Sequence, residues 1–193
     1  MTSALFTRRN VAITAFLLVA LQVLVLYLFG QPPMCTCGTI KVWEGVVLSA
    51  GNSQHLSDWY SFSHIIHGAI FYGLLAWLMP RVPVRIRLLI AFGVEIGWEI
   101  LENTPAVIQH YREQALAQGY TGDSIINSVS DTAMMAFGFI LTYKLPWWVI
   151  VLLALVFEGF SLYMIRDNLT LNIVNLIHAF PSIAAWQAGG GIH

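Results

Sequence analysis

Gly93-Val-Glu95-Ile-Gly-Trp98-Glu99-Ile-Leu-Glu102-Asn103 places three carboxylates inside a run that is otherwise apolar enough to lie in a membrane. At about 100° per helical residue, Glu95, Glu99 and Glu102 fall within about 60° of one another, so a single helix aims three acids at one place. An acid near the centre of a spanning helix costs about 2.5 to 3.5 kcal/mol on the insertion scale. Three on one stripe therefore demand partners or water, and the rest of the chain must supply the receivers.

Of 193 residues, 58% are hydrophobic and only 10% charged, with a mean hydropathy of +0.71. Soluble domains carry about 25% charged residues, so the composition specifies a polytopic membrane protein. The length suits one domain over residues 1–193, because each span takes about 20 apolar residues and the remainder suffices only for connections. A net charge of -1 with no basic run excludes a nucleic-acid footprint.

The expected architecture is an all-α membrane helix bundle of five transmembrane helices plus a C-terminal helix. Span one covers about 11–30; its apolar core is too long, and its end lacks the small residues, for a cleaved signal peptide. Pro32 and Pro33 break it, and Met34 to Trp59 form the longest segment outside the spans. Span two covers about 61–80 and carries His64 and His67 three apart on one face. Span three covers about 88–103 and ends at Pro105. Residues 104–123 read as a polar connection. Span four, about 124–144, opens with Ser124, Asn127, Ser128 and Asp131 on one stripe. Span five, about 147–165, holds Glu158. Residues 168–180 are amphipathic and too short to cross, which reads as an interfacial or re-entrant helix stopped by Pro181, with a sixth full span as the alternative.

Lys and Arg on the amino-terminal side of this arrangement are Arg8, Arg9, Arg81, Arg85, Arg87 and Lys144; the other side has Lys41, Arg112 and Arg166. The positive-inside bias then places the amino terminus in the cytoplasm of a bacterial inner membrane. All acids and all histidines fall in the outer loops or outer halves of helices. Intramembrane ionisable residues face a bundle interior and pair with each other, so they are expected to converge in a cavity open to the periplasm.

Paired histidines, carboxylates on neighbouring helices and supporting amides are ligand types for Zn, Mn or Fe. One reading makes His64, His67, Glu99 and Asp131 ligands of a divalent metal, with Glu95 or Glu102 as acid/base and Asn127 or Ser128 orienting the substrate. His55, Asp58, Asp123, Glu158 and Arg166 are the further candidates, with Asp58 also suited to capping span two and Arg166 to pairing with Glu158 or Glu102 or to binding an anionic headgroup. The enzyme would be a hydrolase or lipid-modifying catalyst acting on a lipid or lipid-linked substrate. The other reading is a hydrogen-bonded polar core in a non-catalytic accessory or ligand-binding subunit, holding helices in register where lipid supplies no hydrophobic drive. Ser61 beside His64 lacks a third group to make a nucleophile. Cys35 and Cys37 sit on the oxidising side, but a bridge two residues apart closes a tight ring, so two thiols packed against Trp43 are favoured over a soft-metal or redox pair.

Cys-x-Cys-Gly38, Asn52-Ser-Gln-His-Leu-Ser-Asp-Trp-Tyr60, Ser63-His-Ile-Ile-His-Gly68, Trp98-Glu-Ile-Leu-Glu-Asn103, Gly122-Asp-Ser-Ile-Ile-Asn-Ser-Val-Ser-Asp131 and Arg166-Asp-Asn-Leu-Thr-Leu-Asn172 occur together. In that combination the chain, from about Leu21 to Gln187, resembles an uncharacterised family of alphaproteobacterial inner-membrane proteins. The resemblance implies a multi-pass membrane protein and carries no catalytic residues over. A looser resemblance, in the placing of Asp and His, then Glu, then Gly-Asp, is to VanZ-like membrane proteins.

Overall fold

Thr7 Oγ1 accepts the N–H of Asn10 and opens the first helix, α1 (Arg8–Leu28), whose apolar run ends before Gly30 and the Pro32-Pro33 break. The computed structural model describes residues 7–189, and these form eight α-helices with no strand among the described residues. The long ones are α1, α2 (Ser61–Leu78), α3 (Val84–Glu102), α5 (Ile125–Lys144) and α6 (Trp147–Ile165). Between them lies α4 (Pro105–Arg112), and α7 (Leu169–Ile177) and α8 (Pro181–Ala188) close the chain. The stretches expected as spans fall on the long helices, with α1 starting already at Arg8 and α3 at Val84, where Pro83 caps it rather than prolonging the arginine loop.

Four helices, α1, α2, α5 and α6, are long and apolar enough to cross a membrane. At 19 residues α3 matches them in length, but Arg85, Arg87 and its three glutamates lower its apolar character. Neither α7 nor α8 crosses: nine helical residues extend about 14 Å, against a hydrocarbon core of about 30 Å. No sixth span forms among the described residues.

The distribution of side chains is that of a membrane protein. Trp77, Trp147, Tyr163 and Ile177 are each more than three-quarters exposed, whereas Gln22, Glu95, Glu99 and Asn127 are essentially inaccessible. In water this would cost both apolar exposure and polar burial; with lipid outside, the apolar surface is matched and the polar groups satisfy each other within. The protein is an all-helical membrane bundle.

At the centre, α2 and α5 make the most extensive helix contact, with α3 and α1 on one side and α6 on the other. Gly68 and Gly138 set their distance. A Cβ on Gly68 would stand 2.0 Å from the Met135 carbonyl oxygen, and one on Gly138 2.0 Å from that of Ile65. Small residues allow this approach, and the dispersion it gains replaces the hydrophobic drive that lipid cannot supply. On one side of the histidines, Leu75, Ala91, Met135 and Phe139 make an apolar layer; a second apolar cluster, Val47, Trp59, Leu116 and Ile165, lies toward the amino end of α2. The polar side chains occupy the layer between them.

Three local expectations are corrected. Residues 104–123 include a helix, since Pro105 both follows the end of α3 and occupies the first turn of α4, where its missing N–H is harmless. Cys35 and Cys37 are joined in a disulfide, and Trp43 packs on Trp59 and Phe62. Arg166 does not pair with Glu158 or Glu102: it caps α6 in the left-handed region, donates to the Trp186 carbonyl and lies over the Trp186 ring.

Candidate functional site

His64 and His67 lie one helical turn apart on the face of α2 that meets α3, where their rings stand 5.1 Å apart. Glu95 of α3 reaches between them, Oε1 2.6 Å from His64 Nδ1 and Oε2 3.2 Å from His67 Nδ1. The three residues present donor atoms that all lie within 4.8 Å of one another. Glu99, one turn further along α3, brings Oε1 to 3.4 Å from His64 Nδ1, and Asp131 of α5 brings Oδ2 to 3.9 Å from His64 Nε2. His64 is thus the hub on which α2, α3 and α5 converge.

The remaining oxygens are held by neighbours. Ser61 Oγ donates to Asp131 Oδ1, and Ser128 Oγ donates to Glu99 Oε2 at 2.6 Å. Glu99 Oε1 is buried without a hydrogen-bond partner. Ser128 is in turn held by Gln22 of α1, whose Nε2 donates to Ser128 Oγ at 2.7 Å and whose Oε1 accepts from Thr132. Gln22 and Thr132 went unread in the sequence, because one amide in an apolar run carries no periodicity.

At the carboxyl end of α3, Asn103 and Asp123 clasp each other: Asn103 Nδ2 donates to Asp123 Oδ2, and Asn103 Oδ1 accepts the Asp123 N–H, both at 2.7 Å. Tyr120 OH donates to Asp123 Oδ1. Burial pushes Asp123 up to about 6 against the pull of Asn103 and Tyr120, and pushes Asp167 up to about 6 against Asn168 and Tyr60. Burial also raises the Tyr111 and Tyr120 hydroxyls, with neighbouring carboxylates adding to it. A cavity of about 40 Å3 lies among His64, Glu102, Asp123, Asp131, Asp167 and these tyrosines, room for an ion or a few waters.

The structure brings together His64, His67, Glu95, Glu99 and Asp131, with Glu102 and Asp123 at the cavity wall. The carboxylate between the two imidazoles is Glu95, where the sequence reading gave Glu99 the ligand role and Glu95 an acid/base role. Asn127 turns away to hold the His55 carbonyl, and Asp58 accepts the N–H groups of Tyr60 and Ser53 at the start of α2. Glu158 is engaged at the amino end of α7, accepting from the Leu169 and Thr170 N–H groups, and Arg166 is on Trp186. His55 lies in the strap between α1 and α2, near the disulfide.

A family model described as "Protein of unknown function (DUF2585)" matches residues 26–189. The chain belongs to this family. Among its relatives, a UPF0314 protein of Sphingopyxis alaskensis is 53% identical over 178 residues, 92% of this chain and 95% of the relative. One from Rhizobium meliloti is 54% identical over 170 residues, 88% and 86% of the two chains, and one from Brucella anthropi 46% over 178 residues, 92% and 90%. No solved structure matches the chain. The family fixes the kinship of the bundle with alphaproteobacterial proteins.

Proposed function

We propose that the protein is a divalent-metal-dependent hydrolase or lipid-modifying enzyme of the bacterial inner membrane, with five spans, a cytoplasmic amino terminus and a site reached from the periplasm. The observation that carries this reading is the trio His64, His67 and Glu95, two imidazoles and a carboxylate with donor atoms within 4.8 Å of one another. Two histidines and one carboxylate are a common ligand set for catalytic Zn and leave positions open. Such an ion supplies Lewis-acid activation of water and of a phosphoryl or carbonyl oxygen.

The chain's own residues have distinct tasks in this reading. Glu99, with its unpartnered Oε1 beside His64, and Asp131, turned toward His64 Nε2, are placed to take a proton from water. Asp123 and Asp167, both with pKa values of about 6, can return a proton to a leaving group at the cavity wall. Gln22 and Ser128 orient Glu99. A lipid or lipid-linked substrate suits a small polar cavity at the outer ends of apolar helices, where a headgroup can enter while its chains stay in the bilayer. The excess of Lys and Arg at the amino-terminal side supports the orientation.

A second reading rests on one observation: Glu95 already satisfies both imidazoles, so the cluster also works as a polar core for an accessory or ligand-binding subunit. The test is turnover. Protein loaded with Zn or Mn, incubated with a total lipid extract of an alphaproteobacterial inner membrane and followed by mass spectrometry, is expected to deplete one lipid class. Asp131→Asn should abolish the depletion without loss of fold. A lipid profile unchanged by metal-loaded wild type over many hours favours the second reading.

A further inference from the structure

Among the described residues, one other group of side chains outside this site carries metal-ligating chemistry: Cys35, Cys37 and His55, whose donor atoms also lie within 4.8 Å of one another. They belong to the strap between α1 and α2. Donor atoms sharing one ion through bonds of about 2.0 to 2.3 Å stand about 3 to 4 Å apart, so the imidazole is already near reach while the bonded sulfurs must separate on reduction.

His55 is 2% exposed, yet neither ring nitrogen has a short hydrogen bond: Nδ1 accepts from the Lys41 N–H at 3.3 Å, and Nε2 lies 3.7 Å from Glu44 Oε2. A ligand histidine is usually steadied by a carboxylate on its other nitrogen, and Glu44 is buried where it can do so. The His55 backbone is fixed as well, its carbonyl accepting from Asn127 Nδ2 and its neighbour Gln54 donating to the Gly122 carbonyl. Cys35 is buried while Cys37 is exposed, which leaves one sulfur accessible for reduction and for metal exchange. Cys37 Sγ has the Thr39 hydroxyl at 3.3 Å, a donor for a thiolate.

We propose that reduced Cys35 and Cys37, together with His55, form a binding site for a soft monovalent cation of the Cu(I) type, gated by the disulfide. Two thiolates and one imidazole satisfy a three-coordinate d10 ion, and soft thiolate ligands select Cu(I); Glu44, committed to Lys41 and the Val46 N–H, adds no further ligand. Opening the site takes a dithiol reductant: two electrons and two protons convert the disulfide to two thiols as the reductant becomes a disulfide. Binding then releases the two thiol protons as two sulfur–metal bonds form. The site is independent of the His64 cluster.

The experiment uses the full chain in mild detergent, reduced with dithiothreitol under argon, desalted and titrated with Cu(I) against a chromophoric Cu(I) chelator. Wild type is expected to take one equivalent of Cu(I) that the unreduced protein does not take. Cys37→Ser, at an exposed position that leaves folding intact, should weaken binding at least a hundredfold. His55→Ala should weaken it at least tenfold, and X-ray absorption of the loaded wild type should show two sulfurs and one nitrogen. His64→Ala should leave this equivalent in place, which separates the site from the proposed catalytic one. Cu(I) uptake equal in wild type and Cys37→Ser, or a sulfur-only first shell, overturns the proposal and leaves a plain disulfide.

Discussion

His64 Nδ1 and Glu95 Oε1 meet at 2.6 Å across the α2–α3 contact, and Glu95 is completely buried. Breaking a buried pair by removing one partner costs roughly 3 to 5 kcal/mol, because the remaining charge loses its compensation. In chelator, His64→Ala should therefore unfold several degrees below wild type in detergent. The double variant His64→Ala/Glu95→Gln should recover part of that loss. Equal unfolding temperatures for wild type and His64→Ala would show that the contact contributes nothing.

Gly68 and Gly138 make a second testable contact. Their missing Cβ atoms would each fall 2.0 Å from a backbone oxygen of the facing helix, whereas Gly73 on the same helix has nothing within 4 Å. Gly68→Ala and Gly138→Ala must push α2 and α5 apart, at a cost of roughly 1 to 3 kcal/mol or more. Gly73→Ala should be neutral or slightly stabilising. Thermal unfolding of the three variants compares them directly.

Gln22 offers the same kind of test inside the bundle. Gln22→Leu strips Thr132 and Ser128 of partners in a dry interior, at roughly 1 to 3 kcal/mol. Adding Thr132→Val removes one of the stranded groups and should return part of the stability. In the enzyme reading Gln22→Leu also lowers kcat more than it changes KM, since Glu99 loses its oriented partner Ser128.

Asp167 carries a pH dependence whose sign is fixed by its folded pKa of about 6, above the ordinary value of 3.8. The folded state binds this proton more tightly than the unfolded state, so the contribution is fully present below about pH 3.8 and is lost as pH rises through about 6. Asp167→Asn, which keeps an acceptor for the Asn168 N–H, should raise the unfolding temperature relative to wild type at pH 7.5 and lose most of that advantage at pH 4.5. An advantage independent of pH would assign the effect to something other than the buried charge.

The bundle was legible in the sequence because span length and apolar content are properties of a stretch, readable without knowing its neighbours. Matched depth groups His64 and His67 with Glu99, Glu102, Asp131 and Glu158, and the stripe on α3 adds Glu95. Depth does not give rotation about the helix axis: Glu158 lies on α6 but turns to cap α7, and Glu95 rather than Glu99 enters between the imidazoles. Gln22 and Thr132 gave no signal, as isolated polar residues whose partners lie more than a hundred positions away. Pro105 was read for the helix it follows, and its equal fitness to begin one was missed.

The central claim is that His64, His67 and Glu95 hold a divalent ion, and elemental analysis of the unreduced protein, purified in mild detergent without chelator, tests it most directly. The account predicts close to one equivalent of Zn, Mn or Fe per chain, retained in a variant with both Cys35 and Cys37 changed to Ser and lost in His67→Ala, which leaves the His64–Glu95 contact intact. Wild-type protein that carries no such metal, and takes none up on dialysis against Zn or Mn, would contradict it.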